Sequence, residues 1–326
     1  METTLPKVSV IVPIYNGEAD LPDLISCLQA QTYPSDRVEY LLVDNGSSDR
    51  TPSILQSACQ EATPPQPPPL ARGEKDKAVI LHLTENKIQS SYAARNTGIR
   101  AATGEIIAFT DVDCRPEPNW LENLMQPFTD LSVGIVAGEV EGLPGKTLLE
   151  KYADSYNVLS QKYTLEHPFC PYGQTANLAI RREFFQQVGL FRPYMTTGGD
   201  ADICWRIQRE TSGKISFAPT AIVKHRHRST VQEFQKQWRR YGRSNRYLHE
   251  LYGVALMTEL KATETFYRLV RWLLKELPVT SVKATIGKAT VVDLLNTPIS
   301  LLNAQARSTG QRDAKLSEEA KIIERF

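Results

Sequence analysis

Short β-branched runs alternate with helical patterns through the first 110 residues, and that rhythm limits the possible folds more than any other feature. "KVSVIVPIY" (7–15) and "VEYLLVD" (38–44) have strand character, and between them Leu21, Leu24, Ile25 and Leu28 recur at helical spacing. "AVILHL" (78–83), the helix-like "SSYAARNTGIRAAT" (90–103) and "EIIAFTD" (105–111) continue the pattern. A strand, helix, strand order predicts a mainly parallel sheet with right-handed crossovers. In such open sheets ligands bind outside the carboxyl ends of the strands, so the residues that follow each strand deserve the closest reading.

Two segments depart from the rhythm. "EATPPQPPPLARGEKDK" (61–77) holds five prolines in a polar stretch and reads as a surface loop inside the domain. Beyond about residue 228 the pattern is helical throughout. The expected organisation is a first domain over 1–230, a helical extension over 231–305 and a polar, flexible tail over 306–326.

A chain of 326 residues with a formal net charge of +1 gives no global case for nucleic-acid binding. Cys27, Cys59, Cys114, Cys170 and Cys204 are odd in number and unpaired in spacing, which reads as free thiols in a reducing compartment. The N-terminus lacks a signal-peptide pattern and no stretch reaches the roughly 20 apolar residues of a membrane span. A cytoplasmic protein, resting at most peripherally on the inner face of a membrane, is the expectation.

"IIAFTDVDC" ends a strand-like run with Asp111 and Asp113. On extended chain, positions i and i+2 share a side about 6–7 Å apart. Two carboxylates there repel unless a cation lies near, and carboxylate oxygens suit Mg²⁺ or Mn²⁺. An isolated pair of this kind reads first as a turn cap beside a solvated charge, so the surroundings decide.

Those surroundings are "VSVIVPIYN", "LLVDNGSSDRT", "AARNTGIRAATGEIIAFTDVD" and "GGDADICWRI". In order and spacing they resemble the family 2 glycosyltransferases of GT-A fold over roughly residues 7 to 245. The resemblance implies an α/β fold with a mixed, mainly parallel sheet flanked by helices and followed by a helical C-terminal extension. It implies nucleotide contacts from Pro13, Tyr15 and Asn16, a uracil-accepting Asp44, and an Arg95 that either meets the donor diphosphate or holds a carboxylate of the fold. It further implies a ribose or water-mediated role for Asp111, a metal ligand in Asp113, and a third ligand in His225, with His227 two residues on.

The same resemblance makes Asp200 the general base that deprotonates an acceptor hydroxyl. The family usually has Glu before this aspartate, whereas here Gly199 stands in its place, which weakens any acceptor contact assigned to that position. Asp202 reads as a first-turn helix charge, and Trp205 as either an acceptor wall or a core residue.

From Lys224 to Arg246 eight Lys/Arg face one Glu, a net of +7, interleaved with Trp238, Tyr241 and Tyr247. Such a strip suits donor phosphates, a lipid-linked pyrophosphate acceptor or anionic headgroups. "QWRRY" (237–241) echoes the QxxRW motif of processive synthases, but those carry membrane helices, so processive export is set aside. The implied activity is inverting, metal-dependent transfer of a sugar from a nucleotide-diphosphate donor, with UDP favoured through Asp44, to a saccharide or lipid-linked acceptor in polysaccharide or glycoconjugate assembly. The alternatives are a catalytically inactive GT-A-fold binding protein and a sugar-1-phosphate nucleotidylyltransferase, which would want a Gly-rich phosphate loop that "VPIYNGEAD" lacks.

Overall fold

The computed structural model describes residues 5–62 and 78–326. The Pro-rich expectation for 61–77 therefore lies outside the described residues from 63 on; the helix Thr51–Ala62 carries its first two positions.

Among the described residues, eight strands form one sheet: β1 (Val8–Ile14), β2 (Val38–Asp44), β3 (Val79–Thr84), β4 (Ile106–Phe109), β5 (Cys114–Pro116), β6 (Val133–Gly142), β7 (Leu178–Arg181) and β8 (Lys214–His225). Their order is β3-β2-β1-β4-β7-β6-β8-β5. The four strands β3, β2, β1 and β4 are mutually parallel, as the alternating pattern predicts, and β7 then runs antiparallel to β4. Every residue of β1, β2 and β4 is buried, since helices cover the faces that these apolar runs present. Each Val, Leu or Ile so buried contributes about 1.5–3 kcal/mol. Register matters more for function. Ile14 pairs with Asp44, so β1 and β2 end together, while β4 ends opposite Ile11; all three run parallel and release their loops along one edge.

The chain divides into two compact units, one of residues up to 141 with 160–225 and 318–326, the other of 142–159 with 226–317. In the second unit the helices Val231–Tyr252 and Val291–Asp313 cross closely. Gly242 lies against the Arg307 carbonyl and Gly310 against that of Arg239, where a Cβ at either glycine would collide with backbone. Leu149, Tyr152, Phe234, Val292 and Ile299 form the apolar cluster of this unit.

The expected flexible tail over 306–326 is not what forms. Helix Val291–Asp313 carries straight through 305, and the segment after it packs down. Within the first unit, the Glu324 carboxylate accepts from Asn96 at 3.1 Å and Arg100 at 2.6 Å, its carbonyl accepts from the Leu190 N–H at 2.7 Å, and Arg192 donates to the Lys321 carbonyl. Ala320 is buried. The segment is polar because its anchors are charged hydrogen bonds, which composition alone reads as solvation. Removing residues 318–326 is expected to cost about 2–4 kcal/mol, since hydrogen bonds to charged groups are worth about 1.5–3 kcal/mol each. A melting temperature unchanged from wild type in scanning calorimetry would contradict this docking.

Candidate active site

The shared edge of β1, β2 and β4 gathers most of the residues singled out from the sequence. Pro13 is buried within β1, and Tyr15 just beyond it is 52% exposed. Asn16 has a positive φ of 50°, which asparagine tolerates. Its N–H donates to Ser47 Oγ at 2.8 Å, and its Oδ1 accepts from the Ser48 N–H at 2.9 Å. Asn16 thus fastens the loop after β1 to the loop after β2. Asp44, buried at the end of β2, accepts from the Ser47 N–H at 3.1 Å, which braces the same loop. Asp49 accepts from the Thr51 and Glu18 N–H groups at 3.0 and 3.1 Å and so caps the helix Thr51–Ala62.

Arg95, on the helix Ser91–Ala101, is buried; its Nη2 meets Asp111 Oδ1 at 2.6 Å and its Cζ lies 5.6 Å from the centre of the Tyr92 ring. Of the two roles open to Arg95, holding a carboxylate of the fold is the contact made here. Asp200 sits at the start of the helix Gly199–Glu210 and accepts from the Thr175 hydroxyl at 3.0 Å. Burial pushes the Asp200 carboxyl above its ordinary value, Arg95 pulls it down, the Asp111 charge pushes it up again, and the bonds from Thr175 pull it down, with a net upward shift. The three charged groups are therefore one electrostatic unit.

The second centre arises from strand pairing. β5 runs antiparallel to β8 with Cys114 opposite His225, and this register brings Asp113 Oδ1 to 3.3 Å from His225 Nε2. Cys114 Sγ joins them, the three ligand atoms lying within 4.8 Å of one another. Burial pushes the Cys114 thiol well up, with Asp111 and Asp113 adding to the shift, so it stays protonated at neutral pH. A carboxylate oxygen and an imidazole nitrogen, converging from paired strands, fit a cation such as Mn²⁺.

Packing accounts for three further residues. Asp202 lies in the first turn of its helix as expected, but it is wholly buried there, bonded to Arg192 Nε at 2.9 Å and to Arg206 Nη2 at 3.0 Å. Trp205 is also wholly buried, donates to the Cys170 carbonyl at 2.8 Å and packs among His167, Phe169 and Tyr172, so its ring has no surface for an acceptor. Gly199 has a steric cause. A Cβ there would lie 2.7 Å from Cε1 and Cζ of Tyr92, whose hydroxyl accepts from the Gly199 N–H at 2.9 Å. Tyr92 and Thr175 were not foreseen from the sequence. A tyrosine on an alanine-rich helix and a threonine 25 residues before Asp200 carry no local signal of partnership with it.

A mainly parallel, mixed sheet flanked by helices, with loops converging at the carboxyl edge, is the GT-A fold. The mannosyltransferase PcManGT from Pyrobaculum calidifontis, solved in complex with GDP-Man and Mn²⁺, shares this fold with a TM-score of 0.63 at 19% identity, over 95% of this chain and 89% of that one. Glucosyl-3-phosphoglycerate synthase from Mycobacterium tuberculosis, in complex with Mn²⁺, UDP-glucose and glycerol 3-phosphate, matches with a TM-score of 0.51 at 19% identity, over 77% of this chain and 81% of that one. In sequence, the family model for glycosyl transferase family 2 matches residues 9–189, and the glycosyltransferase AglE of Haloferax volcanii is 35% identical over 242 residues, 73% of each chain. The chain belongs to glycosyl transferase family 2 and is a glycosyltransferase.

The Tyr92 contact generates a test. Gly199→Ala is expected to destabilise the protein by about 1–3 kcal/mol through overpacking. In a Tyr92→Ala background the same change is expected to cost under about 0.5 kcal/mol. Equal costs in the two backgrounds, measured by urea unfolding, would show that Tyr92 is not what excludes a side chain at 199.

Proposed function

We propose that the protein is an inverting, divalent-cation-dependent glycosyltransferase that moves a sugar from a UDP-linked donor to an acceptor hydroxyl. The observation that carries this reading is the placement of Asp200 at the start of a helix, held by the Thr175 hydroxyl and coupled electrostatically to the Arg95–Asp111 pair. In this reading Asp200 accepts the proton of the acceptor hydroxyl as its oxygen attacks the anomeric carbon from the side opposite the leaving diphosphate. A raised proton affinity suits such a base, because it narrows the gap to the hydroxyl it must deprotonate. Single displacement inverts the anomeric centre; no second carboxylate is assigned as covalent nucleophile.

Asp113 and His225 would hold a divalent cation, Mn²⁺ or Mg²⁺, which supplies positive charge to the departing nucleoside diphosphate. Asp111, fixed by Arg95, is left to face the ribose or reach the cation through water. Pro13, Tyr15 and Asp44 would line the nucleotide side, with Asn16 shaping the loop that presents Tyr15. The donors held by PcManGT and glucosyl-3-phosphoglycerate synthase differ in base, so the UDP assignment rests on Asp44 at the end of β2. The acceptor is a saccharide or a lipid-linked sugar. Of the basic strip, Lys224 is engaged by Glu117 and Arg246 by Glu250, while Arg228, Lys236 and Arg240 line a groove with Glu233 that could receive phosphate groups.

Release of nucleoside diphosphate from a panel of UDP-, GDP- and dTDP-sugars, with and without Mn²⁺, tests the reading. Asp200→Asn is expected to lower kcat by about 10²–10⁴ with donor binding retained. The folded carboxyl lies above the ordinary aspartate value and must be deprotonated to act, so kcat/KM should fall as pH drops through a limb above the usual aspartate range. Arg95→Gln removes a charge that pulls this value down, so the limb should move to higher pH. No turnover across the panel, with Asp200→Asn indistinguishable from wild type, would sink the proposal.

A further inference from the structure

The segment 256–291, within the second unit, departs from the way the rest of the chain treats apolar side chains. Among the described residues, eleven of the 23 exposed large hydrophobic side chains fall in these 36 positions, a concentration that scattered surface residues do not produce. Phe266, Leu273, Leu274, Val279, Val282 and Ile286 are each more than half exposed. They belong to or directly follow a helical run, Ala262–Arg271, a wide π turn Trp272–Glu276, and Leu277–Thr285, in which no residue is buried. Pro278 has no N–H to donate to the preceding turn, which accounts for the widening just before it.

One side of this run faces its own unit. Trp272 Nε1 donates to the Leu294 carbonyl at 2.8 Å, and the Thr297 hydroxyl donates to Glu276 at 2.5 Å, both on the helix Val291–Asp313. Exposed apolar residues recur at helical spacing within each half of the run: Phe266, Leu269 and Leu273 stand at i, i+3 and i+7, and so do Val279, Val282 and, just past the last helix, Ile286. Beside them are six Lys/Arg and two Glu between 261 and 288, a net of +4. Glu264 is paired with Arg268 and Glu276 with Arg271. Lys261, Lys275, Lys283 and Lys288 form no ion pair among the described residues.

We propose that this segment docks on the surface of a bilayer rich in anionic lipid, its exposed apolar side chains among the acyl chains and its lysines against the headgroups. Charge complementarity selects this occupant: exposed apolar side chains interspersed with cations that form no ion pair among the described residues fit anionic headgroups over hydrocarbon. A second copy related by twofold symmetry would set these same cations against one another. No helix of the described residues is long and apolar enough to cross the membrane, so contact is along the surface. The site lies outside the basic strip 224–246 and does not depend on the assignment of Asp200, donor or cation.

Flotation of the full chain with vesicles tests the proposal without reference to turnover. The protein is expected to float with phosphatidylcholine vesicles containing phosphatidylglycerol, at least tenfold more tightly than with phosphatidylcholine alone, and to detach as salt is raised. The triple substitution Phe266→Ser, Leu273→Ser, Leu274→Ser, and separately the pair Lys275→Glu, Lys283→Glu, should each weaken binding at least tenfold while keeping the wild-type circular dichroism and melting temperature. Wild-type protein that stays in the aqueous fraction overturns the proposal. So does binding that survives both sets but is lost in Lys236→Glu with Arg240→Glu, which would assign it to the basic strip. Lipid-free dimerisation that the serine substitutions abolish would overturn it in favour of a second copy.

Discussion

The Arg95 guanidinium, 3% exposed, is what lets carboxylates gather at the end of a buried sheet. Taking a single charge out of water costs several kcal/mol unless it is paired. Asp111 bonds to this cation directly and Asp200 is stabilised by its charge, so two acidic groups draw on one guanidinium. The compensation is incomplete for Asp200, whose proton affinity ends above that of an ordinary aspartate. That residual imbalance separates a structural carboxylate from one fit to take a proton. Tyr92 extends the same unit: its ring lies beside Arg95, stacks on Phe191 at 5.6 Å between centroids, and its hydroxyl holds the first turn of the Asp200 helix through Gly199.

A second dependence is topological. Asp111 and Asp113 are neighbours in sequence, yet the chain divides them between partners. Asp111 belongs with the parallel half of the sheet through Arg95, whereas Asp113 is carried to His225 by the antiparallel pairing of β5 with β8. The turn between them is closed by the Cys114 N–H donating to the Asp111 carbonyl at 3.1 Å. Two like charges at the end of one strand are thus tolerable because each is matched by a different cationic or imidazole group.

What could be read from the sequence follows the range of the interactions. Strand and helix periodicity is local, so the parallel half of the sheet, and with it the edge where Tyr15, Asp44 and Asp111 emerge, was legible. The first-turn position of Asp202 was legible as well, but its burial was not, because nothing local reports that Arg192 and Arg206 close around it. The tail was misread for a related reason: Glu324 reaches Asn96 and Arg100 across more than 220 residues, and no composition rule reports such a partner. Gly199 could be seen as a departure from the family pattern, but its cause, Tyr92, lies 107 residues earlier. Trp205 was ambiguous in kind, since a tryptophan serves a core and a sugar platform with the same ring, and only its burial separates the two.

The two units treat charge in opposite ways, and the contrast bears on what each is for. In the first, acidic groups are drawn inward and matched by internal partners, so a small change in charge there is strongly felt because little water screens it. In the second, the lysines between 261 and 288 stand without acidic partners beside apolar side chains that no part of the unit covers. Stability alone favours neither arrangement, since buried charge is costly and exposed hydrophobic surface forgoes burial. Under the two proposals each surface is completed from outside the chain, the first by the donor's diphosphate and a cation, the second by lipid. A glycosyltransferase acting on a lipid-linked acceptor would use both, and the residues proposed for each lie on separate elements.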